Sequence, residues 1–326
     1  MQAVVQHIYG PPETLTVSEV DRPIPATGEV LVRVRAASVH PDVWHVVTGR
    51  PYVVRLIGGG LRKPRSPIPG TDMAGVVETQ GARFAPGDRV FGETVRGHQW
   101  HNGGAFAEYV AVREDSLTPL PDDVPFDQAA TVPTAGIITL QNLPPLAPGA
   151  AVLVNGAAGG VGGMAVQLAR AAGARVTAVD HPSRLDLVTA DEVLDYTTTD
   201  FTKGDARYDL VFDIPGNHTL SAIRRVLAPA GTYVLIGHDG YGSKGKWLGS
   251  TGAVFKLVAM SPFVPQLPKL SMKTPSKQEL LTTLAKHLAA GDLTPTIDRA
   301  FPLSEAAAAL TYLTSGKARG RIVLTM

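Results

Sequence analysis

No cysteine occurs in the chain. That absence excludes disulfides and thiolate zinc sites together, and a reducing compartment fits. A surplus of charge is missing too. The net charge is +1, so neither a polyanion nor an acidic surface is the expected partner, and nucleic acid is disfavoured. No run is long enough to span a bilayer: the most apolar late stretch, GAVFKLVAMSPFV (252–264), is too short and carries a lysine. The first residues, MQAVVQHIYG, alternate like a strand and have neither the charged start nor the apolar core of a signal peptide. A cytoplasmic protein without integral membrane association is expected. No internal repeat of solenoid length is present.

What is there reads as a globular chain, 44% hydrophobic and 18% charged, whose 326 residues exceed one typical core. Residues 1–120 are rich in Val, Gly and Pro, with strand-like runs at EVLVRVRAASV (29–39) and DMAGVVETQG (72–81) and turns such as APGDRV (85–90). From residue 150 the pattern changes to apolar strands alternating with helical stretches: AVLVN, VGGMAVQLARAA, RVTAVD, EVLDY, DLVFD, TYVLIG. Such alternation predicts an α/β domain, a doubly wound parallel sheet with helices on both faces. Two further helices are expected at 276–290 and 304–315, then a last strand, RIVLTM, while 240–270 reads as irregular.

The glycine run VNGAAGGVGG (154–163) follows a buried-type strand and opens a helix with Val161, Met164, Ala165, Leu168 and Ala172 on one face. A nucleoside-triphosphate loop needs Gly-Lys-Ser/Thr after its glycines, and that lysine is missing. A dinucleotide turn needs small residues at the tight turn, at the approach to the pyrophosphate and where helix meets strand. Ala157, Gly159 and Gly162 fill those places. The backbone of Ala158, Gly159, Gly160, Val161 and Gly162 is then aimed at phosphate. Asp180 ends the next strand 18 residues beyond Gly162, where a carboxylate accepts from the adenosine ribose and repels a 2′-phosphate. Arg184 argues the other way, since a guanidinium pairs with that phosphate. NADH and NADPH both stay open. The bland alternative makes Asp180 a helix cap and Arg184 a solvated surface charge.

The stretches PGTDMAGVV (69–77), APGDRVFG (85–92), GGAFAEYV (103–110), AATVPTAGIITLQNL (129–143), GAAGGVG (156–162) and ARGRIVL (318–324) together resemble the medium-chain dehydrogenase/reductase superfamily. The chain is similar to its zinc-free quinone oxidoreductase (zeta-crystallin-like) branch. TGRPYVVRLIGGGLRKP (48–64) resembles the subgroup of the reticulon-interacting reductase. The resemblance implies a GroES-like β domain built from both termini (1–122 and 275–326), a Rossmann cofactor domain (123–274), an active site in the cleft between them, and commonly a homodimer. It also implies that Val39 and Thr71 stand where zinc-dependent relatives carry a cysteine and a histidine, so no metal is expected. Four histidines, His40, His45, His98 and His101, remain to be weighed as ligands, of which His98 and His101 sit three apart, with surface or hydrogen-bonded histidines as the plainer reading.

Without a metal the acceptor must already be electron-poor. A quinone or an α,β-unsaturated carbonyl takes hydride at carbon and spreads the charge onto oxygen. The resemblance makes Tyr52 the leading donor to that oxygen, or else a substrate wall. His40, where relatives usually carry asparagine, is a second catalytic candidate or polar filler. Thr134, Ile236 and Gly237 resemble nicotinamide-side residues and Tyr196 an adenosine contact; each serves equally as packing at a strand end. The segment between Asp180 and ADEVLDY (190–196) is shorter than in relatives, so its helix is clipped. A cofactor-binding protein without turnover, and a zinc alcohol dehydrogenase with rearranged ligands, are the competing readings.

Overall fold

The computed structural model describes residues 1–95, 100–238, 240–269 and 275–326. It divides into two compact units, Met1–Ile137 with Ser276–Met326, and Ile138–Pro275.

The first unit begins with β1 (Gln2–Val5) and β2 (Thr16–Glu19), an antiparallel pair. Then come β3 (Glu29–Val39), α1 (Pro41–Thr48), β4 (Asp72–Val77), β5 (Arg89–Glu93), β6 (Tyr109–Arg113), β7 (Leu117–Pro119) and α2 (Phe126–Ala130). A π-helical turn spans Arg55–Gly59. α3 (Pro133–Asn142) carries the chain into the second unit.

The second unit holds β8 (Ala151–Asn155), α4 (Gly160–Ala171), β9 (Arg175–Asp180), β10 (Glu192–Asp195), β11 (Tyr208–Asp213), α5 (Leu220–Val226), β12 (Leu227–Leu235) and α6 (Thr251–Met260). Its five strands run parallel in the order β10-β9-β8-β11-β12. Counted from β8 this is 3-2-1-4-5, so the chain reverses its direction of travel between β8 and β11, and ligands of open α/β sheets bind at that switch point. Alternate residues of a strand face opposite sides. Val152 and Val154 therefore pack with Ala165, Val166 and Ala169 of α4, while Leu153 packs on the other face in a cluster with Ile223 and Val226 of α5. This is the doubly wound arrangement the alternation predicts.

The β9–β10 crossover is reduced to a 3₁₀ turn, Pro182–Leu187, that buries no side chain, which agrees with the clipped helix expected there. The 240–270 segment differs from its irregular reading. VFKLVAM contains no proline or glycine to stop a helix, and α6 runs until Pro262 approaches.

The chain then returns to the first unit through α7 (Lys277–Ala289), β13 (Ile297–Pro302), α8 (Ala306–Thr314) and β14 (Arg321–Thr325). Ser276 and Glu279 form a reciprocal capping box that starts α7. β14 lies antiparallel to β3 and parallel to β13, completing a seven-stranded sheet made of the path β13-β14-β3-β4-β5-β7 and, paired with β3, β6 as its seventh strand. Among the described residues no helix is long and apolar enough to cross a membrane.

Candidate cofactor and active site

The β8–α4 turn sits at the switch point. Gly156 has φ +85°, a left-handed conformation that L side chains rarely adopt. The tight turn is thus made one residue before Ala157, the position given to it from sequence; Ala157 is instead buried in the helix–sheet core. The amides of Gly156 and Ala157 both donate to Val179 O, at 2.9 and 3.1 Å, lashing the turn to β9. Gly159 is the N-cap of α4 and, being glycine, makes no side-chain cap hydrogen bond. A Cβ on Gly162 would lie 2.0 Å from Gly156 O, which no side chain tolerates. Bare backbone, a close-packed third glycine and a glycine N-cap at the helix start fit a dinucleotide diphosphate.

Asp180 ends β9 and is buried, and its oxygens are well occupied. Oδ2 accepts from Ala158 N at 2.8 Å; Oδ1 accepts from His181 N at 2.7 Å and pairs with Arg184 Nη2 at 2.8 Å. The carboxylate therefore holds the glycine turn and anchors Arg184, which covers it. Arg184 Nε is buried and has no hydrogen-bond acceptor. Tyr196, half exposed, meets the His181 ring edge-on at 5.9 Å, and its amide donates to Asp180 O. Asp180, His181, Arg184 and Tyr196 thus form one group at the ends of β9 and β10.

On the other side of the switch point Ile214 O accepts from Gly237 N at 3.1 Å and from His238 N at 2.8 Å, and Ile236 N donates to Asp213 O at 2.9 Å. Ile236 and Gly237 are thereby joined to the same loop that touches Gly156. Sequence reasoning missed the polar centre beneath them. Asp213 is fully buried at the end of β11, accepting from Asn155 Nδ2 at 2.9 Å, Gly216 N at 3.0 Å and Tyr233 Oη at 3.0 Å. Burial pushes its carboxyl above the ordinary range, against the pull of those donors. Its one sequence signal was an acid closing the apolar strand DLVFD.

In the first unit His40 is the N-cap of α1. Its Nε2 lies 2.8 Å from Thr71 Oγ1, which donates to Asp72 Oδ1 at 3.0 Å. A hydroxyl has one proton, so Thr71 accepts from Nε2–H and His40 is left with Nδ1, 4.0 Å from Asp42 Oδ2. Asp72 also accepts from Thr134 N at 2.8 Å and Thr134 Oγ1 at 2.6 Å, which ties the start of α3 to β4. Glu93 Oε1 is 3.2 Å from the same hydroxyl and Oε2 is 2.6 Å from Lys277 Nζ. Burial pushes the Glu93 carboxyl up, opposed by Lys277. The Thr134 hydroxyl and amide thus both serve Asp72. Thr71, Asp72, Glu93 and Lys277 were not singled out from sequence as partners of His40 and Thr134. At Tyr52 the Arg55 guanidinium lies 4.9 Å from the ring centre, and the Tyr9 ring meets the same guanidinium at 4.4 Å. Among the described residues no group of three or more His, Asp or Glu is placed to hold a metal ion. His98 lies outside the described residues, and the Nδ1 of its expected companion His101 is buried with no hydrogen-bond partner.

Comparison with known proteins agrees with this architecture. The alcohol dehydrogenase GroES-like domain model matches residues 26–122, and the zinc-binding dehydrogenase model matches 188–324. The chain is 31% identical to the chloroplast envelope quinone oxidoreductase homolog of Arabidopsis thaliana, over 94% of this chain and 92% of that one. It is 28% identical to the 2-methylene-furan-3-one reductase of Solanum lycopersicum, over 91% of this chain and 71% of that one. The solved quinone oxidoreductase from Coxiella burnetii superposes with a TM-score of 0.81 at 26% identity, covering 100% of this chain and 99% of that one. An NAD(P)H-dependent oxidoreductase is therefore the class that fold and relatives define. The chain belongs to the quinone oxidoreductase branch of the medium-chain dehydrogenase/reductase superfamily.

Proposed function

We propose that the chain reduces a quinone or an α,β-unsaturated carbonyl, using NADH or NADPH and no zinc. The observation that carries the cofactor part is the β8–α4 turn, where the space at Gly162 admits no Cβ and the helix start has no side-chain cap. The relatives' own names, quinone oxidoreductase and furanone reductase, support the acceptor class. Val39 and Thr71 at the places of zinc ligands, in a chain with no cysteine, support chemistry without that metal.

Bound at this turn, the reduced nicotinamide supplies hydride. The chain's own residues bind and orient. Ala158, Gly159, Gly160, Val161 and Gly162 receive the diphosphate through main chain. Asp180, Arg184 and Tyr196 take the adenosine end. Thr134, Ile236 and Gly237 take the nicotinamide end, Thr134 by placing the start of α3 through Asp72. An activated acceptor needs orientation, exclusion of water and a donor for the developing oxyanion. Tyr52 is the proposed donor, and His40, whose Nε2–H goes to Thr71, is the second catalytic candidate through Nδ1. We assign 1–122 and 275–326 to the GroES-like part and 123–274 to the cofactor part, with a homodimer in the cytoplasm as the working form.

Calorimetric titration with each cofactor, followed by assays of cofactor oxidation against a panel of quinones and enones, tests this reading. Binding with turnover that survives a chelator is expected. Failure of both cofactors to bind overturns it, and turnover abolished by chelator and restored by zinc overturns the metal-free part.

A further inference from the structure

The segment 240–269 contains Lys244, Lys246, Lys256 and Lys269 and not one Asp or Glu. Without these four lysines, the chain's 30 basic side chains fall below its 29 acidic ones, so this short stretch concentrates a charge that the molecule as a whole lacks. The same stretch is apolar on both faces of its helix. Leu257, Met260 and Val264 pack on the core of the second unit. Phe255 and Val258, three apart on the opposite face of α6, point outward. Phe255 is 60% exposed, Trp247 71% and Phe263 86%. A helix with apolar side chains all round is ordinarily enclosed. Here the outer face is left in water, in a stretch whose charged side chains are all lysines.

We propose that α6 and its two flanks form a docking face for the surface of a bilayer rich in anionic lipid. Lysines beside large aromatic side chains are the combination that interfacial segments use: the rings enter the headgroup boundary and the ammonium groups meet the lipid phosphates. Lys256 lies on α6 itself, and Lys246 adjoins Trp247 in sequence. Lys244 and Lys269 are tied back to Pro215 O and Ser261 O, which leaves Lys246 and Lys256 as the charges to test. A depth of one helix face suits peripheral attachment, in keeping with the absence of a spanning helix among the described residues.

Co-sedimentation of the full chain with vesicles of phosphatidylcholine alone, and of phosphatidylcholine with one third phosphatidylglycerol, tests the proposal. The expected result is sedimentation with the anionic vesicles only, a blue-shifted tryptophan emission that Trp247→Phe removes, and a loss of at least tenfold in partitioning at high salt. Phe255→Ser with Phe263→Ser, and separately Lys246→Gln with Lys256→Gln, are each expected to lower partitioning about tenfold while calorimetric cofactor binding is unchanged. No sedimentation with anionic vesicles overturns the proposal. So does equal sedimentation of wild type and both variants, or a Phe255→Ser, Phe263→Ser protein that leaves vesicle binding intact but splits a larger assembly in analytical ultracentrifugation, which would make this face an interface between copies.

Discussion

Arg184 stands over a carboxylate that is already satisfied, with one guanidinium nitrogen buried and unpartnered. In NADPH the 2′-phosphate adds negative charge beside Asp180, and Arg184 is the cation placed to offset it. Whichever cofactor the wild type prefers, Arg184→Ala is therefore expected to lower the ratio of NADPH to NADH affinity about tenfold, read by calorimetry with each cofactor. An unchanged ratio would remove Arg184 from the adenosine site. Asp213 yields a second expectation. Burial raises its pKa above the ordinary 3.8, so the folded chain holds this proton more tightly than the unfolded chain does. Its contribution to stability accordingly falls as pH climbs from 3.8 to the raised value and is level above it. Asp213→Asn abolishes that fall, so its stability relative to wild type should rise as pH climbs above 3.8 in urea unfolding and level off once the raised value is passed. Asp213→Ala should cost about 2–3 kcal/mol, because Asn155 and Tyr233 lose a buried acceptor. Sequence pointed to His40 and Thr134 as residues of interest, but not to their partners. Asp72 and Glu93 reach Thr134 from β4 and β5, and pairing across strands distant in sequence leaves no local periodicity to read.

Among elements, those with local instructions were legible. α7 and α8 occupy Lys277–Ala289 and Ala306–Thr314, inside the expected 276–290 and 304–315, because a capping box and apolar spacing are short-range signals. β3 coincides with its predicted run, and the parallel sheet follows from the strand–helix alternation. α6 was hidden because its outer face is apolar, which erases the amphipathic pattern by which a surface helix is recognised. In the β8–α4 turn the glycine spacing was visible, yet Gly156 rather than Ala157 makes the left-handed turn, a distinction of φ that small residues in a row do not reveal. Gly162→Ala is the sharpest test at this scale. Its methyl group collides with Gly156 O, so the turn must open, and cofactor affinity is expected to fall at least tenfold in calorimetry while circular dichroism keeps the α/β signature.

For the molecule as a whole, the last strand of the chain joins a sheet begun by β3, near the other end. β14 pairs with β3 on one side and β13 on the other, so among the described residues β13 pairs with the sheet only through β14. Deleting residues 318–326 should therefore release β13 as well. Limited proteolysis with mass mapping is expected to cut the first unit early in that variant and to leave 138–275 resistant, since every strand of the parallel sheet lies within those residues. Equal resistance of both units would mean that the first sheet closes without its last strand.

The same path sets an order of birth. As the polypeptide leaves the ribosome, every strand of the parallel sheet has been made before the final strand of the first unit exists. The usual N-to-C sequence of domain maturation is thereby inverted. The nascent chain must carry an unfinished edge at β3 until translation ends, and a pause or premature stop near residue 320 would leave that edge open to other chains.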